Sequence, residues 1–368
     1  MAVPIITSHS DFTLYTSQLQ RLDVEVDTEQ VELKIFHQAR IYYSGDGRTE
    51  IFSSTYFARN GQLTIYDISS IIESYMQQYA MSVQQFILRL TAISERNESL
   101  EQDTVLVYCK QRLLDPIAKT LLDDFFLTTH TNRLIPTNGE IQLPFYLEPG
   151  SVGSYATVGT TYTITYRDTN GSTHQATNTI FTRHGYGTQI LSTSYQQIAS
   201  HFSNNIPADA VILSVLIKTG NRKFRAYFTQ QTDLHKFWFH NAFNCLDFAY
   251  IATKRIVKTE TKSSIASLCT DKAQYDVQHA RSYTDTTSQL THDEAVWLTE
   301  MLTSHYVAVE DDGDEEQILI TNYKAETTDE QGEGNTLEFE WEYASVRFML
   351  GKDQFTRIFT TEYDKPFA

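Results

Sequence analysis

The stretch Tyr56-Phe57-Ala58-Arg59-Asn60-Gly61 shows how this chain is organised, because part of it returns further along the sequence. The pattern Phe-x-Arg-x-Gly recurs at 181–185, 124 residues later. The dipeptides Asp46-Gly47 and Asn170-Gly171 precede the two copies at the same spacing. Constant spacing over separate matches is typical of two diverged copies of one unit. We therefore predict an internal duplication, the alternative being two β-rich domains that share turn residues by chance.

Local sequence patterns predict the secondary structure of the repeated unit. Asp-Gly and Asn-Gly favour two-residue hairpin turns, since both central residues need a positive φ. Tyr-rich and Ile-rich alternating segments flank these turns, as expected for strands with one buried face. Gly61 and Gly185 should mark a turn before the next strand. A short amphipathic segment follows in each copy, at Ser69–Tyr79 and Ser194–Phe202, and it predicts a helix across the end of a sheet.

The remaining patterns give a fold class and a division of the chain. We predict a mainly β protein, with tandem antiparallel β-sandwich domains followed by a β-rich C-terminal domain with one capped helix. Its length of 368 residues is typical of two or three domains. The expected divisions are an N-terminal arm at 1–23, a first unit with its connector at 24–130, a second unit at 131–232 and a C-terminal domain at 233–368.

The C-terminal domain carries the clearest helix signal. Thr291 and Glu294 form a capping box, in which Thr291 is the N-cap and Glu294 reaches back from the third helical position. Long strand-like runs precede this helix at 249–261 and 274–287, and shorter ones follow it at 306–309, 317–323 and 335–343, with a further one at 354–360.

The overall charge restricts the classes of partner. The net charge is −17 and the sequence pI is about 5.0. Nucleic-acid binding needs a basic footprint, so we expect no nucleic-acid partner. No apolar run is long enough for a membrane span, and we expect no membrane insertion. Cys109, Cys245 and Cys269 lack metal-type spacing, which favours free thiols in a reducing compartment.

No motif in the sequence singles out a catalytic, cofactor or metal site. The acidic segment 310–316 departs from the spacing of a calcium-binding EF-hand loop, and we interpret it as a solvated hairpin turn around Gly313. His235 and His240 fall on opposite faces of a strand, so aromatic packing is favoured over a shared metal. Glycosidase chemistry needs only two carboxylates, and the abundant Asp and Glu residues single out no pair.

Two segments carry a resemblance to a known class of protein. Residues 60–75, from Asn60 to Tyr75, are similar to a segment near the start of tail or baseplate-type structural proteins of phages and prophages of gut bacteria. Residues 293–307, with 318–322, are similar to the C-terminal region of the same proteins. The resemblance implies a virion component that is made in a bacterial host cytoplasm and assembles by symmetric self-association. It implies no catalytic or binding residue.

Three hypotheses for function follow. The first is a non-enzymatic structural protein of a phage tail or virion, with itself and other virion proteins as partners and no cofactor. Its interface would use aromatic anchors and repeated cations, namely Trp238, Phe239, Phe243, Arg59 and Arg183. The alternative for the arginines is an exposed strand-end cation that pairs with a carboxylate or covers apolar surface with its stem. The second hypothesis is a carbohydrate-binding protein that uses exposed rings of 233–248, and the third is an enzyme with a carboxylate pair in the C-terminal domain.

Overall fold

The computed structural model describes most of the chain, with gaps. The described residues are 3–8, 13–39, 47–110, 116–148, 155–231, 233–268, 271–311, 314–326 and 334–344, with the backbone alone for 261–280 and 311. The predicted strand at 354–360 and the predicted free thiol Cys269 lie outside the described residues.

Internal contacts divide the chain into two compact units. The first consists of residues 1–230 together with 241–247, and the second of 231–240 and 248–368. Both predicted sandwich units fall within the first of these, so the division at residue 130 stays a prediction. The prediction of a mainly β chain with several sheets is confirmed.

The first repeat contains two sheets and a helix. A five-stranded sheet has the order β2-β8-β7-β4-β5, and a second sheet has the order β1-β3-β6. The core lies between them, formed by the alternate inward side chains of β4 and the buried face of α1. The bounds are β1 Ile5–Ile6, β2 Thr13–Tyr15, a 3₁₀ helix Thr16–Gln20, β3 Arg21–Glu25, β4 Gln30–Gln38, β5 Arg48–Phe57, β6 Gln62–Tyr66, α1 Ile68–Gln78, β7 Val83–Ala92 and β8 Ser99–Val107.

The second repeat has the same plan. Its five-stranded sheet has the order β9-β15-β14-β11-β12, and β10 pairs with β13 in a second sheet. Strand for strand, this order matches that of the first repeat, in agreement with the predicted duplication. The bounds are α2 Ala118–Asp124, which precedes the repeat, then β9 Asn132–Pro136, β10 Glu140–Leu147, β11 Tyr155–Arg167, β12 Thr173–Gly185, β13 Gly187–Ser194, α3 Tyr195–Phe202, β14 Val211–Thr219 and β15 Arg222–Thr229.

One edge of each five-stranded sheet differs from the antiparallel expectation. The pairs β2–β8 and β9–β15 are parallel. The next strand in sequence, β3 after β2 and β10 after β9, belongs to the smaller sheet of its repeat. The parallel partner of each edge strand, β8 or β15, is the last strand of the repeat. Residues 13–23 of the predicted arm thus supply β2 and most of β3 to the first repeat.

One turn prediction needs correction, and Asp46 of the predicted Asp46-Gly47 turn lies outside the described residues. The described two-residue turn with positive φ at both positions is Asn60-Gly61, between β5 and β6. The Asn170-Gly171 hairpin is wider, because Arg167 pairs with Thr173 and five residues remain in the loop. The Asp168 side chain accepts a hydrogen bond from Ser172 N at 2.8 Å, which stabilises this wider loop.

The second unit is a closed barrel with one helix. Its strand order is β16-β17-β18-β21-β20-β19. Closure is a non-local feature that the strand patterns did not predict. The bounds are β16 Leu234–His240, β17 Leu246–Leu268, β18 Asp271–Thr287, α4 His292–Thr303, β19 Val307–Asp311, β20 Asp314–Glu326 and β21 Thr336–Tyr343.

The local predictions for this unit hold. Thr291 Oγ1 accepts from Glu294 N at 3.3 Å, and Thr291 N donates to Glu294 Oε2 at 2.9 Å, which confirms the capping box. Asp311 pairs with Asp314 across the acidic segment, so a hairpin forms there as predicted.

Candidate functional site

The repeated Phe-x-Arg motif places one aromatic ring on the outer strand of each large sheet. Phe57 lies at the end of β5 and Phe181 lies in β12, and both strands are terminal in their sheets. The inward positions of these strands alternate with outward ones, and both phenylalanines take outward positions. Each side chain is 72% exposed. In both copies, therefore, an exposed ring lies on the outermost described strand of the five-stranded sheet.

The ring of Phe181 is held in place by a glycine on the neighbouring strand. Gly159 pairs with Phe181 in the β11–β12 register. A Cβ added at Gly159 would lie only 3.0 Å from Phe181 Cε1, so the ring covers the glycine closely. The Phe181 ring therefore packs against Gly159 on the neighbouring strand and remains exposed to solvent elsewhere.

The predicted interface arginines follow these phenylalanines by two residues in sequence. Arg59 and Arg183 are both exposed. Among the described residues, neither guanidinium has a carboxylate partner. Each repeat therefore presents a ring and a cation together at its outer strand.

The three predicted aromatic anchors are buried instead. Trp238 packs against Phe248 with ring centroids 5.4 Å apart, and Phe239 packs against Trp297 at 5.9 Å. Phe243 belongs to an apolar cluster of the first unit. An interface anchor needs an exposed ring, and these rings are enclosed by their own units. Because these rings are buried, they do not form the exposed sugar-binding surface that the second hypothesis placed within 233–248.

The polar groups singled out in the sequence take structural positions. His240 Nδ1 lies 3.0 Å from His305 Nε2, and His174 Nε2 lies 2.9 Å from Asp168 Oδ2. Cys245 is buried in the first unit, where burial raises the pKa of its thiol to about 12. In the described part of the chain, no three His, Cys, Asp or Glu side chains gather as a metal site would require.

Two aspartates are fully buried among the residues whose side chains are described, and each is paired with an arginine. In the first unit, Arg133 Nη1 donates to Asp247 Oδ1 at 2.5 Å and Nη2 donates to Oδ2 at 2.9 Å. In the barrel, Asp285 accepts from Arg255 Nε at 2.9 Å and from Trp341 Nε1 at 2.7 Å. Buried carboxylates with full sets of donors serve to fix the fold. Neither presents a free carboxylate for the third hypothesis.

A cleft opens between the two repeats inside the first unit. Its volume is about 600 Å³, and its lining contains no Asp, Glu, Lys or Arg among the residues that the structure describes. The first repeat contributes the turn between α1 and β7, and the second contributes the junction of β12 and β13. Polar and aromatic side chains dominate its wall, notably Tyr79, Gln84, Gln85, Tyr186 and Thr188.

One histidine of the cleft wall is nearly enclosed. His37 is 6% exposed at the inward end of β4, between the rings of Tyr75 and Phe86. Its Nδ1 lies 3.2 Å from the Tyr75 hydroxyl, whereas Nε2 makes no hydrogen bond of normal length in the described structure. Burial lowers the pKa of His37, although the nearby Gln84 side chain raises it in part. The ring is therefore neutral at pH 7.

No sequence pattern indicated this cleft. Gln84 and Gln85 look like ordinary strand residues, and Tyr186 lies directly after the repeated motif. The cleft exists only because the two repeats pack against each other, and a pattern read along one strand carries no information on that contact.

In the described residues, no helix has the length and apolarity needed to cross a membrane.

Comparisons with known proteins yield weak structural similarities alone. No family model and no curated protein sequence matches the chain. Among solved structures, a chain from the virion of a native gene transfer agent particle is 12% identical, with a TM-score of 0.23, and the match covers 32% of this chain and 95% of that chain.

Two further solved structures cover more of the chain. E. coli alpha-2-macroglobulin in its native conformation is 7% identical over 78% of this chain and 22% of its own, with a TM-score of 0.21. CBD12 from CALX1.2 is 13% identical over 56% of this chain and 76% of its own, with a TM-score of 0.16. The chain thus spans about a fifth of the macroglobulin. With TM-scores this low, none of the three assigns a function.

Proposed function

We propose that the chain is a non-enzymatic structural component of a phage tail or virion. It assembles in the host cytoplasm through contacts with copies of itself and with other virion proteins. The observation that supports this most strongly is a two-stranded ribbon, formed by residues 258–268 of β17 and 271–282 of β18. This ribbon extends beyond the strand pairing that closes the barrel.

The pairing of the strands defines the ribbon. β17 and β18 pair from Thr253–Thr287 as far as Leu268–Asp271. β21 pairs with β18 only between Tyr283 and Thr286. On the other side, β16 ends at His240 and has seven residues, so it reaches only the first part of β17. In the described backbone, no third strand pairs with the ribbon.

A two-stranded ribbon of this kind is stabilised by contact with another subunit. Eleven residues of extended strand span about 35 Å. A two-stranded hairpin alone is marginally stable in water, and its unpaired N–H and C=O groups are a template for another strand. A neighbouring subunit that adds a strand, or packs on one face, supplies the missing contacts. The ribbon is therefore the main assembly element of the proposal.

The outer strands of the two repeats offer a second contact surface. Phe57 and Phe181 are exposed rings at unpaired edges, and an exposed cation lies beside each. Aromatic and arginine side chains are enriched in protein interfaces. Two equivalent surfaces on one chain suit contacts that repeat regularly in an assembly.

The test is removal of the ribbon. Val257 and Tyr283 are direct partners, so residues 258–282 can be replaced by the two-residue turn Asn-Gly without a change in barrel register. We expect the variant to fold, with unchanged emission from the buried Trp341, and to lose the concentration-dependent rise in mass. A wild-type chain that stays monomeric, alone and with co-expressed tail proteins, would refute the proposal.

A further inference from the structure

The residues proposed above as assembly contacts are not among the described residues that line the cleft between the repeats. The cleft lies at the start of β7 and at the junction of β12 and β13, and Phe181 of β12 lies five residues before its Tyr186. Its volume of about 600 Å³ falls within the usual range for small-molecule sites. The cleft is therefore a candidate binding site for a small molecule.

The walls of the cleft are held in position by contacts across and beside it. Ser82 Oγ and Thr188 Oγ1 lie 3.0 Å apart, and this hydrogen bond joins the first repeat to the second. Asn244 Nδ2 donates to Met76 O at 3.1 Å and to Met81 O at 2.9 Å, which fixes the turn after α1. The cleft is consequently preformed, and a ligand would find its wall already ordered.

The lining chemistry indicates a neutral, hydroxyl-rich ligand. Tyr79 and Tyr186 present aromatic surface, which packs well against the C–H faces of a sugar ring. Gln84 and Gln85 each carry an amide donor and acceptor, which match hydroxyl groups of either orientation. None of the described residues that line the cleft is charged, and such a lining disfavours phosphate, carboxylate and amine ligands.

His37 adds a buried polar ring to the wall of the cleft. The residue lines the cleft, and its buried Nε2 has no hydrogen-bond partner of normal length in the described structure. Buried polar atoms in native proteins are nearly always paired. His37 therefore contributes a buried imidazole to the cleft wall, with the Tyr75 hydroxyl 3.2 Å from its Nδ1 and the Gln84 side chain close to the ring.

We propose that the cleft between the repeats binds a neutral carbohydrate of two or three sugar units. Tyr79 and Tyr186 pack against the sugar rings, and Gln84 and Gln85 hydrogen-bond to their hydroxyls. This inference does not rest on the assembly role, because a monomer would carry the same cleft.

The experiment is a titration of the full chain with defined saccharides, followed by calorimetry and ligand-observed NMR. The probes are maltotriose, cellotriose, mannotriose and chitotriose, with trigalacturonate as the anionic counterpart. We expect at least one neutral trisaccharide to bind with a Kd of about 1 mM or lower, and trigalacturonate not to bind. Failure of all four neutral probes to bind would overturn the proposal.

Variants then locate the site. Gln85→Ala and Tyr186→Ala should each weaken binding of the neutral trisaccharide by about tenfold or more. Tyr66→Ala is the matched control, because Tyr66 is an exposed tyrosine of the first repeat outside the cleft lining. All three variants alter side chains that are not fully buried, so melting temperatures near that of the wild type should confirm folding. Equal affinities for the wild type and the two cleft variants would contradict the assignment.

Discussion

Phe57 and Phe181 occupy equivalent positions on the outer strands β5 and β12 of the two repeats, and each ring is 72% exposed. Large exposed apolar patches mark contact surfaces. Here the duplication presents an exposed ring twice. Among the described strands, the two rings lie on the outermost strands of corresponding sheets, and an exposed arginine follows each by two residues.

The first prediction concerns these two rings. The double change Phe57→Ser and Phe181→Ser should weaken self-association by about tenfold or more, because burial of a phenylalanine in a contact contributes about 1.5–3 kcal/mol. The fold should be unaffected, since neither ring belongs to a core. Light scattering across a concentration series measures the effect. Ile117→Ser is the control, because Ile117 is exposed and lies outside both edge strands. An unchanged association constant in the double variant would show that the edges are not used.

The second prediction concerns the buried pair of Arg133 and Asp247. Asp247→Ala leaves a guanidinium enclosed without its carboxylate, and should reduce the free energy of unfolding of the first unit by about 3–5 kcal/mol. The double change Arg133→Met and Asp247→Leu should restore much of this loss, since it removes both charges. Urea denaturation gives the values. The control is Glu148→Ala, which breaks an exposed pair with Lys119 and should cost less than about 1 kcal/mol.

The third prediction concerns His37 and pH. Burial lowers the pKa of His37 in the folded state, whereas the unfolded chain has the ordinary value of about 6.5. As pH falls below about 6.5, the unfolded state therefore takes up a proton first, and folding stability falls with a slope of up to about 1.4 kcal/mol per pH unit. Above that pH both states are neutral and this contribution is constant.

His37→Phe removes the titrating group and suits the aromatic site between Tyr75 and Phe86. The difference in unfolding free energy between wild type and this variant should be constant above pH 7 and should shift in favour of the variant as the pH falls towards 5. Because other titrating groups are common to both chains, the subtraction isolates His37. A difference that stays constant over this whole range would rule out the depressed pKa.

The fourth prediction concerns the capping box of α4. Thr291→Ala removes the side chain that accepts from Glu294 N, and should reduce the free energy of unfolding of the barrel by about 1 kcal/mol. Thr303→Ala, at the other end of the helix, is the control and should have a smaller effect. Thermal unfolding followed by the fluorescence of the buried Trp297 and Trp341 reports on this unit. Equal losses in the two variants would mean that the box adds nothing.

The parts of the fold that were predictable are the local ones. The capping box of Thr291 and Glu294 and the helices after each motif follow from short-range patterns, and the duplication follows from spacing. The environment of Trp238 and Phe239 was not predictable, because the same aromatic run suits an exposed platform or a barrel core. Only the closure of the barrel decides between them. The cleft near His37 likewise depends on how two repeats pack, and no segment carries that information by itself.

The edge strands show a similar limit. The Phe-x-Arg-x-Gly pattern identified the repeated strand, but its position at the outside of each sheet depends on the order β5-β4-β7-β8-β2 and its counterpart. Strand order is set by long-range pairing. The arginines Arg59 and Arg183 could therefore be named from the sequence, whereas the exposed rings of Phe57 and Phe181 beside them required the sheet topology.

The most direct test of the assembly role is the mass of the purified chain in solution, measured by light scattering over a concentration series. The wild type should form a defined oligomer or grow with concentration. The variant with Asn-Gly in place of residues 258–282 should remain a monomer with an intact barrel. The same oligomeric state for the two chains at every concentration, whether monomer or oligomer, would contradict the claim that the β17–β18 ribbon drives assembly.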